Sequence, residues 1–174
     1  PRFVENPVDN LISKSYAQQV RASIDLGRAT PSSAIKGGTP VKEGSHTTHY
    51  SIVDKAGNAV SVTYSLGLRF GTGKVAGDAG FFLNDTMEGF TAKVGAPNVF
   101  GLIQGKANAI APAKRSLSSM TPTVVLKEGK VYMVTGSPGG PRIITTTLQT
   151  ILNVIDYGMD LSLIHISEPT RPER

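Results

Sequence analysis

Residues 44–64 read GSHTTHYSIVDKAGNAVSVTY. Before them, residues 29–46 are rich in Gly, Pro and Ser, a composition that suits an exposed linker and a site of proteolysis. At Thr47 the texture changes. Thr47–Val53 and Ala59–Tyr64 are β-favouring runs on either side of Asp54-Lys55-Ala56-Gly57-Asn58, which predicts a hairpin. Thr47 therefore opens a strand directly after a linker. If the chain is cut before Thr47, the new α-amine lies beside that residue's own hydroxyl. Such an amine has a pKa of about 8 and can serve as general base. A threonine with its own amine is one way to activate a weak nucleophile. The plain alternative is a strand that begins with a β-favouring residue.

Downstream, a glycine-rich stretch runs from Gly67 to Gly80. Pro122–Leu126 and Lys130–Thr135 predict a second hairpin around Glu128-Gly129. Next comes Gly136-Ser137-Pro138-Gly139-Gly140-Pro141, and then a helix to about Tyr157. Pro141 suits the first helical position. Ile144, Leu148, Ile151, Leu152 and Ile155 are its expected buried stripe. The paired glycines between strand and helix let backbone N–H groups approach a ligand, and the helix start adds partial positive charge. That arrangement suits an oxyanion; a tight strand–helix turn is the alternative. Arg115-Ser116-Leu117-Ser118-Ser119-Met120-Thr121-Pro122 offers paired hydroxyls for a carboxylate, or for local backbone groups. In Tyr64-Ser65-Leu66-Gly67, a hydroxyl at a strand end could bond the nucleophile. Upstream, Ile12, Tyr16, Val20 and Ile24 predict one helix over residues 9–26, capped by Asp9 or Asn10 and ended by Gly27.

With 174 residues the chain has length for one core. It has no Cys, which excludes disulfides, thiolate catalysis and Cys-ligated metals. The net charge of +5 does not point to nucleic acid, because Lys and Arg are scattered and no aromatics interleave with them. A missing acidic partner segment explains the imbalance better. His46, His49 and His165 lack metal-ligand spacing, and no apolar run is long enough to span a bilayer. A start at Pro1, amid charged sequence, suggests a fragment or processed product.

Together these stations match one family in order and spacing. Thr47-Thr48-His49-Tyr50-Ser51 resembles the start of the small subunit of gamma-glutamyltranspeptidases. Phe70-Gly71-Thr72-Gly73, Leu117-Ser118-Ser119-Met120-Thr121-Pro122-Thr123, Gly136-Ser137-Pro138-Gly139-Gly140 and Ile155-Asp156-Tyr157-Gly158 look like further family signatures. Residues 1–46 resemble the end of the large subunit and its linker, and 47–161 the small-subunit catalytic segment. The tail 162–174 leaves the pattern and reads as artefactual.

The resemblance implies an α+β fold, the four-layer αββα sandwich of N-terminal-nucleophile amidohydrolases, incomplete in this piece. It implies Thr47 as nucleophile with its freed amine as base, Ser65 as the hydroxyl that bonds it, and Gly139 and Gly140 as the oxyanion hole. Ser118 and Ser119 match the pair that binds the donor's α-carboxylate. Val94–Gly105 resembles the lid loop, with Phe100 where many members have Tyr. The implied reaction is acyl transfer from glutathione or another gamma-glutamyl amide to water or an amine, after self-cleavage at His46–Thr47, with no cofactor and no metal. The implied partner is a large-subunit segment outside this chain, and the implied location is periplasmic or secreted. The fragment itself is expected to be inactive. One departure stands out. Typical members hold the α-ammonium with an Asn, a Gln or Glu, and an Asp, and the matching positions here are Gly67, Thr86 and Gly89. Asp85 and Glu88 lie one residue away, an offset that on a strand faces the other side. This keeps two other readings open: an acylase for glutaryl-type amides, and a catalytically silent binding or scaffold relic.

Overall fold

The computed structural model describes residues 5, 7–28, 30–31, 47–160 and 164. Most of the linker, His46, His165 and nearly all of the tail lie outside the described residues. Helices and strands are both present, so the fold is α+β: helices α1 (Val8–Leu11), α2 (Lys14–Ala22) and α3 (Ile143–Ile155), and strands β1 (Thr47–Val53), β2 (Ala59–Ser65), β3 (Thr123–Lys127) and β4 (Lys130–Thr135). The chain divides into two compact units. One holds Pro1–Lys42 with Phe90–Ser116, the other Glu43–Gly89 with Leu117–Arg174.

In the first unit the expected helix over 9–26 is two helices. Ser13 is the reason. Its backbone is extended (φ −73°, ψ 145°) and its hydroxyl accepts from Tyr16 N–H at 3.1 Å. An N-cap there starts a new helix, so the apolar periodicity continues while the backbone does not. Asp9 and Asn10 lie inside α1, whose N-cap is Pro7 without a side-chain cap. The same unit holds the segment resembling a lid. Asn98 organises it: its side-chain oxygen accepts from Phe100 N–H at 3.0 Å and Leu102 N–H at 2.9 Å. This is a side-chain mimic of a backbone turn.

The second unit carries both hairpins. β1 and β2 pair antiparallel with Thr47 opposite Ser65, His49 opposite Thr63 and Ser51 opposite Ser61. The turn between them is tied by one carboxylate. Asp54 Oδ1 accepts from Ala56 N–H and Asn58 N–H at 2.9 and 2.8 Å, and Oδ2 accepts from Asn58 Nδ2 at 2.7 Å. The Asn58 bonds, side-chain first, lower the Asp54 pKa. β3 and β4 form the second two-stranded sheet. Their turn uses positive φ at both central residues, Glu128 (53°) and Gly129 (75°), as the handedness of a two-residue hairpin requires.

Because side chains alternate along a strand, the first hairpin has two unlike faces. Thr47, His49, Ser51, Ser61, Thr63 and Ser65 share one, a ladder of hydroxyls and one imidazole. The other carries Tyr50, Ile52, Val60 and Tyr64, all exposed. Helix α3 also differs from expectation. Ile144, Leu148 and Ile155 are about half exposed, whereas Ile143 (1%), Thr147 (3%) and Asn153 (3%) are buried. The helix is apolar on more than one side, which marks a helix meant to be covered on several sides. The covered side is the one that Thr147 enters, where its hydroxyl meets Thr121 Oγ1 at 3.2 Å. Hydrophobic spacing identified an apolar face but not which face these neighbours cover.

Candidate active site

Thr47 and Ser65 face each other across the open end of the first hairpin. Their register places the side chains side by side, and Thr47 Oγ1 donates to Ser65 Oγ at 3.3 Å. Ser65 Oγ in turn accepts from Gly67 N–H at 3.1 Å. The serine is therefore held from behind by the backbone that follows it, and its oxygen is aimed at the threonine hydroxyl.

The second pairing is between Ser119 and the glycine strap. Ser119 Oγ donates to the Gly140 carbonyl at 2.8 Å. Gly139 (φ 129°) and Gly140 (φ 56°) both sit where a Cβ is strained, so these two positions need glycine. A short 3-10 turn, Gly140–Arg142, leads into α3, with Pro141 in its first turn as expected. Ser118 is exposed; its oxygen accepts from Met120 N–H at 3.2 Å. Four of the six site residues read from sequence thus fall into two pairs, Thr47 with Ser65 and Ser119 with Gly140, and Ser118 and Gly139 are in neither.

Asp85 and Glu88 correct one expectation. They are not on a strand. Thr86–Gly89 is a 3-10 turn, so the argument that a one-residue offset faces away does not apply. Asp85 N–H donates to Leu66 O at 2.7 Å, and a Cβ on Gly67 would meet the Asp85 backbone at 3.0 Å. Both carboxylates therefore belong to the turn that packs on the end of β2. Desolvation first, then the charge and hydrogen bond of Asp85, raise the Glu88 pKa. Thr86 Oγ1 is spent on the Asn84 side chain.

Sequence reasoning missed His49, apart from excluding it as a metal ligand. Its ring nitrogens lie 2.9 Å from Thr63 Oγ1 and 3.0 Å from Ser51 Oγ, and burial lowers its pKa. The signal was present as the alternation of polar residues at 47, 49, 51 and at 61, 63, 65. Among the described residues no group of three His, Asp or Glu could hold a metal ion, and no helix is long and apolar enough to cross a membrane. A groove of about 540 Å³ is lined by Tyr132, Met133, Val134, Val154 and Met159 among others. It contains none of the site residues named above.

Residues 1–169 match the family model described as gamma-glutamyltranspeptidase. The chain belongs to the gamma-glutamyltranspeptidase family. It is 60% identical over 161 residues to a glutathione hydrolase proenzyme of Pseudomonas sp. strain A14, which covers 92% of this chain. It is 55% identical over 163 residues to that of Escherichia coli K12, covering 93%. The chain spans 28% of the length of each of these relatives. Among solved structures, a threonine-to-alanine mutant of Helicobacter pylori gamma-glutamyltranspeptidase superimposes with a TM-score of 0.64 at 56% identity, over 67% of this chain and 63% of that one. The site residues read from sequence lie at the hydroxyl pair at the head of β1, at the glycine strap before α3 and at Ser118 and Ser119 before β3.

Proposed function

We propose that the full-length parent of this chain is a gamma-glutamyltransferase and glutathione hydrolase that matures by cutting itself between His46 and Thr47. The observation that carries this reading is the Thr47–Ser65 hydrogen bond at the first residue of β1. A hydroxyl that opens a strand, with a fixed hydroxyl partner, can add to the preceding carbonyl; the resulting ester then hydrolyses and frees the α-amine of Thr47. In turnover the Thr47 oxygen attacks the gamma-carbonyl and its proton passes to that amine. The proton goes on to the departing amine, and the acyl group remains as an ester until water or another amine takes it. Gly139 and Gly140 donate to the oxyanion, and Ser118 and Ser119 receive the α-carboxylate, Ser119 by turning its one proton from the Gly140 carbonyl to the donor. Both curated relatives carry the name proenzyme, which supports maturation by cleavage. The exposed apolar faces of the first hairpin and of α3 support a four-layer αββα sandwich completed by the rest of the parent. The enzyme acts in the periplasm or outside the cell, a reading that rests on the family resemblance alone. Intact-mass analysis of the purified parent is expected to show two polypeptides, the smaller beginning at Thr47. A fully active parent that stays a single uncut chain overturns the proposal.

Gly67, Thr86 and Gly89 favour a second reading, an acylase for glutaryl-type amides. Losing one hydrogen bond to a charged group costs about 1.5–3 kcal/mol, or roughly tenfold or more in affinity. A glutaryl donor keeps the carboxylate and has no ammonium to leave unpaired. The ratio of kcat/KM for gamma-glutamyl and glutaryl anilides, measured on the matured parent, is expected to stay below about a hundredfold. A preference of about a thousandfold for the glutamyl donor (roughly 4 kcal/mol) would assign the ammonium to Asp85 and Glu88, or to the remainder of the parent. A silent relic turns over neither anilide.

A further inference from the structure

Gly136 is a glycine whose backbone does not demand one. Unlike Gly139 and Gly140, it is not among the positive-φ glycines. The space above it is what excludes a side chain. A Cβ built there would lie 2.3 Å from His49 Cε1, 2.4 Å from Nδ1 and 2.9 Å from Nε2. No real Cβ approaches atoms so closely, so a side chain at Gly136 displaces the imidazole from its seat or the strap from beneath it. The imidazole rests on the bare α-carbon of the residue that opens the strap Gly136-Ser137-Pro138-Gly139-Gly140.

The ring is also fixed from its own side. Nδ1 lies 2.9 Å from Thr63 Oγ1, on the neighbouring strand, and Nε2 lies 3.0 Å from Ser51 Oγ, further along β1. Each hydroxyl can donate or accept, so either neutral tautomer is satisfied. One rung away, Ser61 Oγ donates to the carbonyl of Thr135, the residue just before Gly136, at 3.0 Å. Two independent contacts, one steric and one a hydrogen bond, thus join the hairpin that carries Thr47 to the end of β4. Thr47 is two residues from His49 on the same face of the same strand, and Gly139 and Gly140 close the strap that Gly136 begins.

We propose that His49 is a positioning residue for acyl transfer: its imidazole is a peg seated on the socket of Gly136, and the fit sets the Thr47 end of β1 against the strap that ends in Gly139 and Gly140. His49 touches no reacting atom. It acts by fixing the separation between two elements, each of which carries half of the chemistry. A misplacement of about 1 Å between reacting groups costs on the order of a hundredfold in rate. The inference rests on the function proposed above, because the strap matters to rate only if it supplies the oxyanion donors.

The test is a double-mutant cycle in the full-length parent: Gly136→Ala, His49→Ala and the two combined. Readouts are intact mass, melting temperature, and kcat and KM for a gamma-glutamyl anilide normalised to cleaved protein. Gly136→Ala is expected to lower kcat by about a hundredfold or more, with KM, which the strap touches only through the Ser119–Gly140 bond, changed only a few-fold. Removing the ring as well is expected to restore kcat at least about tenfold over Gly136→Ala alone, the non-additivity that contacting residues show. A smaller peg, His49→Asn with Gly136 kept, is expected to lower kcat about tenfold, again with little change in KM; this arm remains informative if Gly136→Ala does not fold. Strictly additive effects, or kcat losses that only follow the melting temperature, overturn the positioning role while the parent's activity stands. A parent inactive on both gamma-glutamyl and glutaryl anilides overturns the proposed function, and this role with it.

Discussion

Thr47→Ala in the full-length parent is expected to abolish both self-cleavage and turnover, while Thr48→Ala retains a measurable part of each. The two residues are adjacent and chemically identical, so the contrast tests geometry alone. Thr47 lies on the hydroxyl face and bonds Ser65 at 3.3 Å. Thr48 pairs in register with Tyr64 and is exposed on the opposite face. Only the residue that bears the new α-amine can use that amine as its own base. Removing a nucleophile leaves the oxyanion and binding contributions, so kcat should fall by about four orders of magnitude or more. Gel analysis of cleavage and steady-state kinetics on both variants decide the point. Equal activity of the two would assign the nucleophile to the wrong threonine.

Gly139→Ala is the second large effect. At φ 129° and ψ 20° an alanine has no relaxed conformation, and forcing one costs on the order of 1–3 kcal/mol. The strap relieves that strain by rotating, which turns its N–H groups away from the reacting oxygen. Loss of one such donor lowers kcat by about 10²–10³. The expected result is a kcat drop of that size with KM changed only a few-fold, in protein that still melts cooperatively. A kcat near that of the parent would show that the Gly139 N–H is not aimed at the reacting oxygen.

How much of this was legible in the sequence depends on the range of the interaction. Both hairpins follow from local pattern: alternating β-favouring residues around Asp54-Lys55-Ala56-Gly57-Asn58, and around Glu128-Gly129. The Thr47–Ser65 pair follows too, because a hairpin's register fixes which residues face each other. Helix α3 was legible as a helix, but its buried side was not. Periodicity cannot say whether Ile144 or Ile143 meets a neighbour; that depends on Thr121, distant in sequence. Ser13 escaped notice because a polar residue inside an apolar period looks like a solvent-facing helical position until its backbone is seen to be extended. The offset argument for Asp85 and Glu88 failed because it borrowed strand geometry for a 3-10 turn. The seat of His49 on Gly136 needs two segments far apart in the chain, and neither residue advertises the other.

The knot of bonds around Asp54 has a reach beyond its own turn. A slip of one residue in the pairing of β1 with β2 would turn every β1 side chain to the other face relative to β2. Thr48 would then stand beside the hydroxyls of β2, and Thr47 would share the other face with Tyr64. Asp54 is seven residues from Thr47, roughly 23 Å along an extended strand at about 3.3 Å per residue. The choice between twin threonines is made at that remove, by a carboxylate that never approaches a substrate.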